Sequence, residues 1–393
     1  MTLTTGRTRH LSAVPDPVGG PYELVPPATR FVDLPDGFAM RRGGRLRGGR
    51  VAYETVGRLA PARDNVVLVL PGLSADAHVC SHEDDPAPGW WEHMVGPGRP
   101  VDTDTWFVVC VNSLGSCRGS TGPASIDPAT RRPYGVTFPA LSLEDVADAA
   151  AHVVRSLGVE RLACVVGTSM GGMVAVSLAD RHPTLATAQV NISAGLHSPP
   201  FAIATRSLQR EVVRNDPDWR GGTYWAHGFP LTGMRTARKL GLITYRSAEE
   251  WGHRFGRRRL QPTGPVNDFG PEFEIEAYVQ ANADRFVERF DPNCYLYLSR
   301  AIDWFEADET VLPTDDGVPG LESALVLGVD TDLLFPLALQ RQVAEHLERR
   351  GARVTCTALD SDKGHDAFLV DCAAFGAPIA RFLDHLKIAR HPA

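Results

Sequence analysis

From about residue 66 onward the chain alternates two hydrophobic patterns. Val66–Leu70, Trp106–Val111, Leu162–Val166, Ala188–Ile192 and Ala324–Val329 are short runs with almost no polar face, and Val354–Leu359 is a less continuous sixth. Runs of this length without period-2 alternation read as strands covered on both sides, the mark of a parallel sheet. Between them lie helical patterns. In Ser142–Leu157 the apolar positions Val146, Ala149, Ala150, Val153 and Val154 recur at helical spacing, after a serine cap with Glu144 and Asp145 in the first turn. Met173–Arg181 and Ala374–Leu386 read as further helices. Strand and helix in alternation predict an α/β protein with a doubly wound, mostly parallel sheet.

Two stretches break the alternation. Residues 1–29, rich in Pro, Gly and Thr without periodicity, read as a flexible N-terminal arm. Between Phe31 and Leu59 the segment FAMRRGGRLRGGRVAYETVGRL suggests antiparallel strands that turn at the Gly-Gly pairs. From 196 to 319 no strand pattern appears. Helical segments (Ala202–Val213, Phe273–Asn282, Tyr295–Phe305) stand among irregular Gly/Pro pieces such as DPDWRGG. An insertion placed before the last strands of such a sheet would cover the carboxyl ends of the strands, where ligands bind. The expected organisation is a core of residues 30–195 and 320–393 with a helical lid at 196–319.

Composition removes several function classes. A net charge of -7 lacks the basic balance that phosphate-backbone binding needs, so no nucleic-acid partner is expected. The seven cysteines are scattered without a CxxC pair, which supports neither a disulfide framework nor a metal set. Cys110, Cys164 and Cys356 lie in apolar runs and read as small buried hydrophobes. No window approaches the ~18 apolar residues of a membrane span. A polar N-terminus with no apolar stretch after it does not read as a secretory signal. These features suit a cytoplasmic protein with no bound cofactor.

The candidate chemistry begins at Gly167-Thr168-Ser169-Met170-Gly171, a GxSxG pattern followed by Gly172. Alone it carries little. Here it sits between an apolar strand and a helical stretch, the strand, sharp turn and helix of the nucleophile elbow of α/β-hydrolases. A serine hydroxyl needs a base, and the base needs an orienting carboxylate. In this fold they follow in the order Ser, acid, His. His365 lies after the last strand and before the last helix. The other histidines read as surface or lid residues, His182 near a helix end. The acid follows the strand Ala324–Val329, where Asp330 and Asp332 compete and Asp332 lies further into the loop. The oxyanion needs two backbone donors: Met170, after the nucleophile, and one from the loop Leu70-Pro71-Gly72-Leu73-Ser74, where Leu73 is the expected donor.

A series of segments in order resembles the homoserine O-acetyltransferase family and its serine-acylating relatives, from about Phe38 to Leu386. They are VAYET at 51–55, GWWE at 89–92, GPG at 96–98, VNSLGSCRGSTGP at 111–123, GTSMGGM at 167–173, ITY at 243–245, FVERFD at 286–291, YLYL at 295–298 and GHD at 364–366. The resemblance implies the α/β-hydrolase fold and a ping-pong transfer. Ser169 would take an acyl group from acyl-CoA, with succinyl-CoA and acetyl-CoA both open as donors, and pass it to the hydroxyl of L-serine or L-homoserine. It also favours Asp332 as the acid, Asp366 as the residue holding the acceptor amine, Arg210 as the arginine facing the acceptor carboxylate, and a homodimer. The acetyltransferases typically carry His-Ala-Leu-Thr-Gly after the first core strand, whereas this chain has Pro71-Gly72-Leu73-Ser74-Ala75. That loop and the Gly115-Ser116-Cys117 run look like the serine-using branch, including serine O-succinyltransferases, although that branch often has Pro at the place of Ala75. Gly72 and Ala75 are therefore expected to set acceptor selectivity. Arg118 and Arg246 are the arginines considered for a succinyl carboxylate.

Overall fold

Each apolar run of the sequence becomes one strand of an eight-stranded sheet, and the register of the runs divides the core in two. The computed structural model describes residues 25–261, 270–287, 289–308 and 320–390. The strands of the main sheet are β1 (Arg30–Asp33), β2 (Arg50–Val56), β3 (Val66–Leu70), β4 (Phe107–Val111), β5 (Cys164–Thr168), β6 (Ala188–Ile192), β7 (Ser323–Val329) and β8 (Arg353–Leu359). Their spatial order is β1-β2-β4-β3-β5-β6-β7-β8. β2 pairs antiparallel with both β1 and β4, and the pairings from β4 through β8 are parallel. Within β3, Val66, Leu68 and Leu70 enter one apolar cluster and Val67 and Val69 the other, because successive side chains point to opposite faces.

The first cluster packs α1 (Leu143–Ser156), α2 (Met170–Arg181) and the helices that follow β6 against the sheet; the second packs the C-terminal helix through Phe375, Ile379 and Leu383. α1 starts where its cap predicts. Ser142 accepts from the Asp145 amide, and Asp145 in turn takes the Ser142 amide, a reciprocal capping box. α2 begins at Met170 rather than at Met173, since Gly171 and Gly172 take helical geometry directly after the nucleophile.

Among the described residues, five α-helices stand between β6 and β7: α3 (Pro200–Arg214), α4 (Leu231–Tyr245), α5 (Ala248–Arg254), α6 (Glu274–Val287) and α7 (Pro292–Trp304). Three of them fall on the helical segments read from sequence. α4 and α5 lie where no segment was read, and the apolar positions Met234, Ala237 and Leu242 of α4 are interrupted by Gly and Thr. Residues 262–269, 288 and 309–319 of the expected lid lie outside the described residues. So do residues 1–24 of the expected arm; of the rest, Thr29 donates its hydroxyl to Glu54. After β7 come α8 (Leu337–Arg349), α9 (Ala367–Val370) and α10 (Cys372–Arg390).

Two expectations need correction. β8 is an edge strand, paired only with β7, so its side chains are largely exposed and Cys356 faces solvent instead of filling the core. The glycine turn in the N-terminal segment joins two antiparallel strands, as expected, each only two residues long, Phe38–Ala39 with Arg45–Leu46. His78 and His346 are neither surface nor lid residues: both are buried in the core domain and paired with carboxylates. No described helix is long and apolar enough to cross a membrane.

Candidate active site

Three parallel strands deliver three side chains to one point above the sheet. Ser169 follows β5, Asp332 follows β7 and His365 follows β8. Ser169 has φ 53° and ψ -118°, a conformation that lifts its side chain out of the strand and away from the helix it starts. The flanking glycines are steric necessities. A Cβ on Gly167 would lie 2.3 Å from the Gly171 carbonyl oxygen, and one on Gly171 would lie 1.9 Å from that of Leu70.

Ser169 Oγ lies 2.8 Å from His365 Nε2, and His365 Nδ1 lies 2.8 Å from Asp332 Oδ2. Asp332 is 2% exposed, and its other oxygen accepts the amides of Leu334 and Phe335. Asp330 is exposed on the surface. Of the two acids that compete in the sequence, the hydrogen bond to His365 belongs to Asp332. His365 is packed among the rings of Tyr245, Phe335 and Phe368. Burial there pushes its pKa down, but the charge of Asp332 and the hydrogen bond to it outweigh that, so the net shift is upward. A base of raised pKa next to a serine oxygen suits removal of the hydroxyl proton.

The Met170 amide is the first of α2, so no carbonyl within the helix takes it up. Leu73 stands across the site in the loop after β3, and Gly72 beside it is close enough that a Cβ there would lie 3.8 Å from Ser169 Cβ. The two proposed oxyanion donors thus flank the nucleophile from its own helix and from the neighbouring loop.

Ser169 and His365 open into a cavity of about 130 Å³, walled by the loop Gly72–Ala75, Trp90, and residues of α3, α4 and α7. Asp366 lines it. Burial raises the Asp366 pKa, opposed by the charges of Arg246, Arg238 and His365. The loop that carries His365 and Asp366 is fitted tightly to the end of α4. Gly364 has φ +68°, and a Cβ there would press on backbone atoms of Tyr245, Arg246 and Ser247 at 2.9 Å. Ser247 also donates its hydroxyl to the Asp362 carbonyl.

Three of the expected substrate residues are placed elsewhere. Arg210 does not line the cavity: its guanidinium is held by Asp303 at 2.6 Å and by Ser299. Arg118 is bound at 2.6 Å to Asp76 and does not line the cavity; it braces the loop before Trp90. Arg246 sits behind Asp366, between it at 3.4 Å and Glu250 at 3.1 Å, and does not line the cavity either. The arginines that do line it are Arg206 and Arg238. Arg206 is paired with Asp303, whereas Arg238 lies over the rings of Tyr245 and Phe286, forms no ion pair with a carboxylate among the described residues, and leaves its Nε without a hydrogen-bond partner. Arg206 is one helical turn from Arg210. The direction of α3 relative to the nucleophile decides between them, and sequence spacing does not contain it.

Comparison with known proteins agrees with this architecture. A family model described as alpha/beta hydrolase fold matches residues 65–371. The chain is 58% identical over 369 residues to an L-serine/homoserine O-acetyltransferase of Streptomyces lavendulae, covering 92% of this chain and 98% of that protein. It is 55% identical over 375 residues to a serine O-succinyltransferase of Xanthomonas campestris pv. campestris, covering 92% and 99%. Among solved structures it is similar to an esterase at 26% identity and a TM-score of 0.80, covering 90% of this chain and 99% of that one.

Proposed function

The chain belongs to the α/β-hydrolase fold family, in the group that holds serine O-succinyltransferases and L-serine/homoserine O-acetyltransferase, and on that premise we propose that it transfers an acyl group from acyl-CoA to the hydroxyl of L-serine. The observation that carries the reading is the company Ser169 keeps in its cavity: Asp366 and Arg238 both line it, and Arg238 forms no ion pair with a carboxylate among the described residues. A carboxylate and a guanidinium around a nucleophile complement the ammonium and carboxylate of a free amino acid. A plain esterase has no need of either. The cavity is also far smaller than the roughly 300–1,000 Å³ that encloses drug-sized ligands, which suits a small acceptor and a short acyl chain with the rest of the donor outside.

In the proposed reaction His365 takes the Ser169 proton as Oγ attacks the thioester carbonyl. The Leu73 and Met170 amides hold the oxyanion, and the proton leaves with the CoA sulfur. The acceptor hydroxyl then gives its proton to His365 and attacks the acyl-enzyme, and Ser169 Oγ leaves the acyl carbon and takes that proton back. Its ammonium and carboxylate are clamped, so it competes better than water. Acetyl and succinyl groups are both admitted as donors. L-homoserine is the second acceptor, favoured by the double name of the Streptomyces relative. The O-acylserine formed would be consumed by a reaction that displaces the acyloxy group with a sulfur nucleophile, as in cysteine synthesis. A cytoplasmic homodimer belongs to the same proposal. The outer faces of α3 and α4 leave Phe201 and Ile243 each 52% exposed, a natural place for a second copy.

The deciding experiment is a matrix of acetyl-CoA and succinyl-CoA against L-serine and L-homoserine, with mass spectrometry of the products. The expected result is O-acylserine as the main product and CoA release that depends on the added amino acid. CoA release at the same rate without an amino acid would make the protein a hydrolase.

A further inference from the structure

Among residues that do not line the cavity, four side chains with metal-binding atoms converge. Glu54 comes from β2. His78, His82 and Asp85 come from the segment after β3, where His82 and Asp85 bond to each other's backbone in a tight turn. His78 Nδ1 lies 2.8 Å from Glu54 Oε2, and His82 Nε2 lies 3.2 Å from the same oxygen. The ligating atoms of Glu54, His78 and His82 all fall within 4.8 Å of one another. Asp85 Oδ2 is 3.7 Å from His78 Nδ1. Around a tetrahedral ion with bonds of 2.0–2.1 Å to His and carboxylate, neighbouring ligand atoms stand about 3.3 Å apart. The observed separations bracket that spacing.

The geometry points to a structural site for a divalent ion of the zinc class, bound by His78 Nδ1, His82 Nε2 and Glu54 Oε2, with Asp85 or a water in the fourth position. Two further observations support it. The atoms of these residues that face away from the centre are already oriented as an outer shell would hold them. His78 Nε2 is 2.7 Å from the Ala87 carbonyl, Thr29 donates to Glu54 Oε1 at 2.9 Å, and the Ala87 amide donates to Asp85 Oδ1 at 3.0 Å. Charge is the second. Glu54 and Asp85 are 1% and 4% exposed, so two buried carboxylates stand beside two imidazoles, and a divalent cation with neutral imidazoles balances them. Mixed imidazole and carboxylate donors select zinc-class ions over magnesium or calcium.

Such an ion would have a purpose in the fold. It would staple the segment 76–92 to β2, and that segment carries Trp90 into the cavity wall, with the Trp90 amide bound to the His78 carbonyl at 3.2 Å. The competing state is metal-free. There His78 donates from both ring nitrogens and is an imidazolium, its pKa pushed up to about 9 by the hydrogen bond to Glu54.

Metal content and cobalt(II) spectra of the untagged full chain separate the two. After chelator treatment, one equivalent of zinc or cobalt should rebind, cobalt should show the strong visible absorption of a four-coordinate site, and the thermal midpoint should rise. His82→Gln, which alters the most exposed of the three ligands, should lose this binding. Its affinity should fall by more than the roughly 10–100-fold that loss of an outer-shell partner brings, while its metal-free midpoint stays near that of the chelator-treated parent. His82→Asp, which keeps a ligand, should restore part of it. Failure of the wild-type chain to bind a stoichiometric ion would overturn the proposal in favour of the imidazolium pair. Equal binding by wild type and His82→Gln would overturn it too, since the ion would then sit elsewhere.

Discussion

Asp332 grips His365 with one carboxylate oxygen while the fold grips the other: Oδ2 is 2.8 Å from His365 Nδ1, and Oδ1 accepts the Leu334 and Phe335 amides at 2.8 and 2.9 Å. An asparagine at 332 would keep the shape but could present its NH2 to Nδ1, leaving the proton on Nε2, where it blocks acceptance of the Ser169 proton. Asp332→Asn is expected to lower kcat by a factor on the order of 10³–10⁴ with residual activity. The exposed Asp330, changed to Asn, should leave kcat within about twofold, since surface changes of this kind act weakly. Steady-state assays of the two variants decide the assignment, and reversed effects would exchange the two acids.

Ser169→Ala should abolish transfer and leave the fold in place, because alanine keeps the Cβ and adds no atom to the elbow. Rapid quench of the wild-type chain with acyl-CoA alone should trap one acyl group, and peptide mapping should find it on Ser169. An acyl group on any other residue would refute the nucleophile.

The pH profile follows from two upward shifts. His365 must be neutral to act as base, and its pKa lies above the ordinary 6.5, so kcat/KM should rise with pH through a midpoint above that value. Asp332→Asn removes the charge that raises it and should move the limb to lower pH. Asp366 must be ionised to hold an ammonium, and burial raises its pKa from 3.8. Acceptor KM should therefore climb as pH falls through that raised pKa, while the rate of acyl-enzyme formation measured without acceptor follows only the His365 limb.

Arg238 and Arg210 should separate cleanly. Arg238→Met removes the cavity cation with no carboxylate partner and is expected to raise KM for the amino acid by about 10–150-fold, the equivalent of one hydrogen bond to a charged group. Arg210→Met removes one of two guanidinium partners of Asp303 and should lower stability by about 1–3 kcal/mol with acceptor KM unchanged. Kinetics and thermal denaturation on both variants provide the check.

Acceptor choice should be graded rather than absolute, because one methylene is worth only ~1–3 kcal/mol in a pocket. kcat/KM is expected to favour L-serine over L-homoserine by about 10–100-fold. A methyl added at Gly72 meets Ser169 Cβ at an ordinary contact distance of 3.8 Å, so Gly72→Ala reshapes the wall without forcing the backbone. Combined with Ala75→Gly, it should move the preference toward homoserine. Equal rates with both acceptors, unchanged by the double substitution, would show that this loop does not read the acceptor.

What the chain determines locally was readable: buried strands as unbroken apolar runs, α1 from its Ser142 cap and 3.6-residue period, the elbow from glycines on both sides of Ser169. The positions of Ser169, Asp332 and His365 follow too, because in a parallel sheet every residue just after a strand emerges at the same end. Tertiary structure decided whatever depends on which face of one element meets another. β8 has a neighbour on one side only, so Cys356 is exposed despite its apolar run. Arg210 and Arg206 share a helix and both reach Asp303, but only Arg206 lines the cavity. Arg118 and Arg246 meet carboxylates of this chain before any ligand. Glu54 within β2 and His78 in the segment after β3 are 24 residues apart, and no compact spacing marks their meeting. Sequence periodicity fixes the angle of a side chain about its own helix or strand. The distance between two such elements comes from packing, which sums many contacts far apart in the chain, and that is why the nucleophile is legible in the sequence and the Arg238 cation that shares its cavity is not.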